Sequence, residues 1–145
     1  MATTLGLPDA VIGVGADGAP AWPQGIAGSI THTKGYAATL VGQGFHAIGL
    51  DAERIGGVTA NLFPRLFTER ERAALAGLEG AARGLAATLL FSAKESFFKA
   101  GLAGPRLVFQ AVDIVLADDG FIANGHPGRF AANNDLVVTA LALPA

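Results

Sequence analysis

Cysteine is absent from this 145-residue chain, so neither a disulfide framework nor a thiolate metal site can be built from it. Charge is scarce as well: Asp, Glu, Lys and Arg make up 15% of the residues, and the net charge is −2. Without a basic excess the chain lacks the electrostatic footprint of nonspecific nucleic-acid binding, and that partner class is set aside. Long apolar runs are missing too. Residues 85–91, interrupted by Thr88, fall far short of the roughly 20 residues that span a bilayer. Met1-Ala2-Thr3-Thr4 shows no basic segment leading into an apolar stretch, so no secretory signal is legible, and a cytoplasmic location is the simplest expectation.

What is plentiful is small and apolar. Hydrophobic residues account for 51% of the chain and the mean hydropathy is +0.44, high for a protein of one domain's length. Two readings stand side by side: a compositional bias towards Ala, Gly, Leu and Val, or a surface meant to be covered by something else.

Glycine and proline recur through residues 1–25, which read as an extended lead-in with a short strand at residues 11–14; residues 26–145 form the domain proper. Strands are expected at 26–32, 36–43 and 45–53, with turns at Lys34-Gly35 and Gly42-Gln43-Gly44. Links this short require antiparallel neighbours. A short helix with an internal proline is expected over 59–67. Thr68 with Glu71 three residues later has the capping-box pattern and starts a second helix, running to about residue 78. The longest helix is expected over 81–102, with Leu85, Leu89, Ser92 or Ala93, Ser96 and Ala100 on one side and Gly101 and Gly104-Pro105 stopping it. Strands at 107–117, 121–124, 128–132 and 136–143 complete the chain, the last two joined at Asn133-Asn134. The class is α+β, an antiparallel sheet packed against helices.

Within this charge-poor chain, a few positions gather chemistry. Asp51 and Glu53 are two apart on an expected strand, so both side chains leave one face. Two adjacent hard oxygen donors suit Mg²⁺ or Mn²⁺, although an acidic strand end in solvent has the same pattern. Glu95 and Lys99 are four apart on the long helix, the spacing of an ordinary surface ion pair worth about 0.2–0.5 kcal/mol. Phe91, Phe97 and Phe98 flank them, and charges in apolar surroundings need partners or a ligand. Lys94 is placed to reach an adjacent phosphate as a point charge. His32 closes the first long strand after Ser29 and Thr31, while His46 and His126 read as structural.

The ordered set Trp22-Pro23-Gln24-Gly25-Ile26-Ala27-Gly28-Ser29-Ile30-Thr31-His32, Gly49-Leu50-Asp51-Ala52-Glu53 and Phe91-Ser92-Ala93-Lys94-Glu95-Ser96-Phe97-Phe98-Lys99-Ala100 resembles the 4′-phosphopantetheinyl transferases of the surfactin and enterobactin type. The resemblance runs from about Gly6 to the C-terminus, and its third motif is highly specific. It implies transfer of the phosphopantetheine arm of coenzyme A to a serine of an acyl or peptidyl carrier protein, releasing 3′,5′-ADP. By that likeness Asp51, Glu53 and Glu95 hold Mg²⁺ against the coenzyme's pyrophosphate. Glu95, or a metal-bound water beside it, takes the serine proton, and Lys99 steadies the transferring phosphate or the attacking oxygen. His32 and Lys94 contact coenzyme A phosphates, and Pro20 falls in a Gly-x-Pro turn near the adenine, with Ala19 where a lysine is common.

Arg65, Arg70 and Arg72, interleaved with Leu66, Phe67 and Leu75, form a candidate face for an acidic carrier, or simply an amphipathic helix. The resemblance implies a pseudodimer of two similar halves, of which this sequence is expected to carry little of the first. The other function the residues allow is a catalytically silent homologue that binds a carrier protein or a partner subunit. The family architecture and the high hydropathy together lead to the expectation of a homodimer. Size-exclusion chromatography with light scattering at micromolar concentration is expected to return twice the chain mass, and a clean monomer would refute it.

Overall fold

A computed structural model describes residues 11–145 of the chain. The start of the lead-in, residues 1–10, lies outside the described residues. The remainder of the lead-in holds two short strands, β1 (Gly13–Val14) and β2 (Pro20–Ala21), paired antiparallel. β3 (Ile26–Thr33) and β4 (Tyr36–Gln43) form a hairpin with Thr33 opposite Tyr36. The link is Lys34-Gly35, and Gly35 takes φ 76, a left-handed conformation that glycine adopts without strain.

The main sheet consists of β5 (Phe45–Arg54), β6 (Ile114–Leu116), β7 (Gly120–Ala123), β8 (His126–Ala132) and β9 (Leu136–Pro144). Its order is β5-β9-β8-β7-β6, antiparallel throughout. β5 therefore does not continue a ladder with β4, as the short Gly42-Gln43-Gly44 link suggested. Its backbone partner is the last strand in the chain. The other edge of β5 is met by side chains: Leu50 N donates to Ser29 Oγ and Ala52 N to Thr31 Oγ1, both at 3.0 Å. This explains an inverted pattern on β3, where Ser29 and Thr31 are buried while Ile30 between them is 43% exposed.

Helices α1 (Phe63–Leu66), α2 (Glu69–Ala76) and α3 (Gly80–Lys99) complete the fold, and α3 packs on β5 and β9. The expected helix at 59–67 is a 3₁₀ turn, Ala60–Leu62, running into the single turn of α1, with Pro64 in its first turn, where its missing N–H costs nothing. The capping box of α2 is formed: Thr68 N donates to Glu71 Oε1 at 2.8 Å and Glu71 N to Thr68 Oγ1 at 3.2 Å. α3 ends in a Schellman arrangement, with Leu102 N bonded to Phe97 O and Gly101 N to Phe98 O around Gly101 at φ 75. Between α3 and the sheet, Phe67, Leu75, Leu90, Phe97, Ile114, Phe121 and Leu141 form the core. No helix among the described residues is long and apolar enough to cross a membrane.

The expected strand at 107–117 is only β6, preceded by a 3₁₀ turn at Phe109–Ala111. The cause is a buried polar node. Lys94, whose side chain has no exposure, lies 2.6 Å from Glu71 Oε1 and donates to Leu66 O at 2.8 Å and Gln110 O at 2.9 Å. Glu71 Oε2 accepts from Ile114 N at 2.9 Å, and Gln110 Nε2 donates to Pro64 O at 2.6 Å. Residues 109–111 wrap around this ammonium instead of extending as a strand.

Gly49 of β5 sets the distance to α3. A Cβ at this position would stand 1.9 Å from Ser96 O and 2.8 Å from its carbonyl carbon, so strand and helix backbones touch there. Gly49→Ala is expected to force α3 off the sheet at a cost of about 2–3 kcal/mol, as overpacked sites do. Chemical denaturation is expected to show a lower midpoint with an unchanged slope.

Candidate functional site

Gly49, Asp51 and Glu53 alternate with Leu50 and Ala52 along β5, so they share the face that meets α3. The backbone contact at Gly49 therefore brings both carboxylates to the helix. Asp51 is 3% exposed. Its Oδ2 accepts from Ser92 Oγ at 2.8 Å, and its Oδ1 accepts from Lys99 Nζ at 2.9 Å. Lys99 Nζ also donates to Thr31 Oγ1 at 3.2 Å, and its side chain remains 31% exposed. The ammonium thus sits at the mouth of the site with a route to solvent.

Glu53 and Glu95 belong to the same electrostatic cluster. Burial, helped by Asp51 nearby, a hydrogen bond with Asp51 and the charge of Glu95, pushes the Glu53 carboxyl up to about 7, with Lys99 opposing. Burial and the charge of Asp51 raise Glu95 above the usual carboxylate range, again opposed by Lys99. These three expected ligands therefore feel one another, and Lys99 is the charge among the described residues that offsets their mutual repulsion. Among the described residues no three His, Asp or Glu side chains are disposed, as they stand, to hold one metal ion. The set is a cluster of hard oxygen donors with Lys99 serving as the cation at Asp51. Its chemistry fits Mg²⁺ or Mn²⁺, because hard carboxylate oxygens are what such an ion takes.

Beside this cluster lies a cleft of about 720 Å³, whose walls include Pro20, Trp22, Gly28, Ile48, Phe98 and Lys99. The Trp22 ring covers Gly28 so closely that a Cβ there would stand 2.6 Å from it. Pro20 and Lys99, singled out from the sequence for coenzyme and phosphate, thus line one cavity. His32 is exposed on β3, two strand positions past Ile30 and on the same face, and it is not among the cleft-lining residues.

Lys94 requires a correction. All three donors of its ammonium are engaged inside the protein, by Glu71, Leu66 O and Gln110 O, and it has no exposure, so it does not reach an adjacent phosphate. Burial lowers its affinity for the proton, and the Glu71 carboxylate opposes that. Of the basic face, Arg70 is engaged by Asp113 and by Ile114 O, while Arg65 and Arg72 are exposed.

The sequence reading left Thr31 and Ser92 without roles. Thr31 ties Lys99 to β5, and Ser92 fixes one oxygen of Asp51. The signal was there in weak form: polar residues at 29 and 31 alternating with apolar Ile30, and hydroxyls at 92 and 96 on one helical face.

The fold is that of the holo-(acyl-carrier-protein) synthases. A synthase from Bacillus anthracis str. Ames, solved in complex with CoA (3′,5′-ADP), superposes with a TM-score of 0.53 at 18% identity, over 70% of this chain and 97% of that one. The synthase of Thermotoga maritima gives 0.54 at 16% identity, over 70% and 65%. Sequence comparison is more specific. The 4′-phosphopantetheinyl transferase superfamily model matches residues 47–140, and the model of the 4′-phosphopantetheinyl transferase N-terminal domain matches residues 1–42. The chain belongs to the 4′-phosphopantetheinyl transferase superfamily. It is 37% identical to the transferase Svp of Streptomyces mobaraensis over 97% of its own length, and 39% identical to Npt of Nocardia iowensis over 87%. It is 30% identical to PptT of Mycobacterium tuberculosis over 96%. The chain spans 66%, 58% and 71% of the lengths of these three curated relatives.

Because the Glu53 carboxyl is raised to about 7 from its ordinary 4.5, the fold favours its protonated form. Its contribution to stability is full below about 4.5 and is lost as pH rises through about 7. In metal-free buffer, Glu53→Gln is expected to melt progressively higher than the parent as pH increases from 5 to 8. A melting-point difference that does not change with pH would contradict this.

Proposed function

We propose that this chain transfers the 4′-phosphopantetheine arm of coenzyme A to a serine of an acyl or peptidyl carrier protein, releasing 3′,5′-ADP, in the cytoplasm. Support comes from membership of the family, from relatives whose names state this activity, and from a fold neighbour solved with CoA. The observation that carries the reading is Asp51: a buried carboxylate flanked by Glu53, Glu95 and Lys99 at the edge of a cleft.

In this reading the cleft takes coenzyme A, with Pro20 towards the adenine and His32 towards a phosphate. Asp51, Glu53 and Glu95 would hold Mg²⁺, and the chemistry such an ion would supply is charge neutralisation on the pyrophosphate and on the departing ADP. Glu95 accepts the hydroxyl proton of the carrier serine as its oxygen bonds to phosphorus and the bond from phosphorus to the ADP oxygen breaks. Burial and the Asp51 charge raise the proton affinity of this carboxyl, the direction that suits a group accepting a proton. Lys99 moves from Asp51 Oδ1 towards the transferring phosphate, a short displacement for a long, partly exposed side chain. Exposed Arg65 and Arg72 offer charge to an acidic carrier.

A second reading, a silent homologue that binds a carrier or partner without transfer, is favoured by the Lys99 ammonium resting at Asp51, where the cation belongs. Self-association remains part of the proposal, supported by exposed Val115, Ile122, Ile30 and Leu40 on β6, β7, β3 and β4.

The deciding experiment incubates the protein with coenzyme A, Mg²⁺ and an apo carrier protein, then weighs the carrier by mass spectrometry. The carrier is expected to gain the phosphopantetheine mass with the parent and to lose at least about 100-fold in rate with Glu95→Ala, the scale of a positioned general base. Carrier binding without any mass gain would select the silent homologue.

A further inference from the structure

Three hydroxyl side chains are fully buried between α3 and β9: Ser92 and Ser96 from the helix and Thr139 from the strand. Ser92 Oγ lies 2.8 Å from Asp51 Oδ2 and 2.8 Å from Thr139 Oγ1. Thr139 Oγ1 lies 2.9 Å from Ser92 O and 2.5 Å from Ser96 Oγ. A hydroxyl carries one proton, and an ionised carboxylate only accepts. Ser92 therefore directs its proton to Asp51. Its oxygen accepts from Thr139, whose single proton points at the hydroxyl and carbonyl oxygens of Ser92. Thr139 Oγ1 in turn accepts from Ser96 Oγ, whose one proton is shared with Thr139 O at 3.1 Å. The proton order runs one way, Ser96 to Thr139 to Ser92 to Asp51, and bonds so aligned polarise one another.

We propose that Ser92, backed by Thr139 and Ser96, is a positioning residue that pins Asp51 Oδ2 and leaves Oδ1 as the oxygen offered to a cation. The inference rests on the reading of Asp51 as a metal ligand. Two further observations support it. Oδ1 is the atom that Lys99 contacts at 2.9 Å, so the unpinned oxygen already faces positive charge. Ser92 also lies on α3 one turn before Glu95 and two turns before Lys99, so anchoring Asp51 to this residue sets its distance to both. Outer-shell hydrogen bonds of this kind orient ligating carboxylates, and their loss costs roughly 10–100-fold in metal affinity.

The test is Mn²⁺ affinity of the full chain with coenzyme A present, read by electron paramagnetic resonance, alongside the unfolding midpoint of each variant. Ser92→Ala is expected to weaken Mn²⁺ about 10-fold or more, Thr139→Val (same shape, no hydroxyl) by less, and Ser96→Ala least. Thr139→Ser, which restores the hydroxyl, is expected to bind as the parent does. All three positions are equally buried, so a packing role alone would not grade the affinity along the chain. Affinities of Ser92→Ala and Thr139→Val within twofold of the parent, with Asp51→Asn abolishing binding, would overturn the proposal. If Ser92→Ala does not fold, the Thr139→Val and Thr139→Ser pair decides by the same criterion. A parent that binds no Mn²⁺ refutes the metal reading itself and this inference with it, an outcome recognisable before any variant is made.

Discussion

The site exists because a helix backbone touches a strand backbone at Gly49. The carbonyl of Ser96 occupies the space that any side chain at position 49 would need, so α3 lies against β5 without spacers. Everything with chemistry in it follows from that contact. Asp51 and Glu53, two and four residues along the same face, arrive beside Glu95 and Lys99 of the helix. A wider separation would leave four ordinary surface charges. At this separation, Glu53 holds its proton up to about 7.

The two lysines of α3 show how placement on one helix separates their fates. Lys94 and Lys99 are five residues apart, roughly 140° around the axis. Lys94 points between α1, α2 and the turn at Phe109–Ala111, where three acceptors satisfy its ammonium. A buried ion is tolerated when every donor is matched, and here the matching also decides the path of residues 109–111. Lys99 points to β5 and β3, with two partners and partial exposure. The first is tied into the fold and the second keeps a free path. Glu71 is correspondingly double in role, capping α2 through one oxygen and serving β6 through the other.

The high hydropathy has a structural counterpart on the outside of the sheets. Side chains of Ile30, Leu40, Val115 and Ile122 are exposed, while the polar Ser29 and Thr31 are buried to satisfy the free edge of β5. An edge strand whose donors are taken by hydroxyls needs no further strand beside it. The cost is an apolar residue turned outwards between them, which is the opposite of the usual alternation.

The elements were largely legible because their signals are local. The Thr68–Glu71 capping box, the Lys34-Gly35 turn and the Gly101 helix stop depend on residues within a few positions of each other, and all three formed. The motifs were legible too, and with them the acidic residues worth watching. What failed was whatever depended on direction across the chain. The pairing of β5 with β9 rather than β4 was one such failure, the loss of a strand before β6 another, and the retreat of Lys94 into the core a third. By itself the sequence determined which residue types lie on which element, since helix and strand periods are properties of the backbone. Only the tertiary structure decided which lysine met a carboxylate in the open and which met one in the dark. A side chain's partner depends on how its helix is rolled against the sheet, and that roll is set by a contact at Gly49, 45 residues from Lys94.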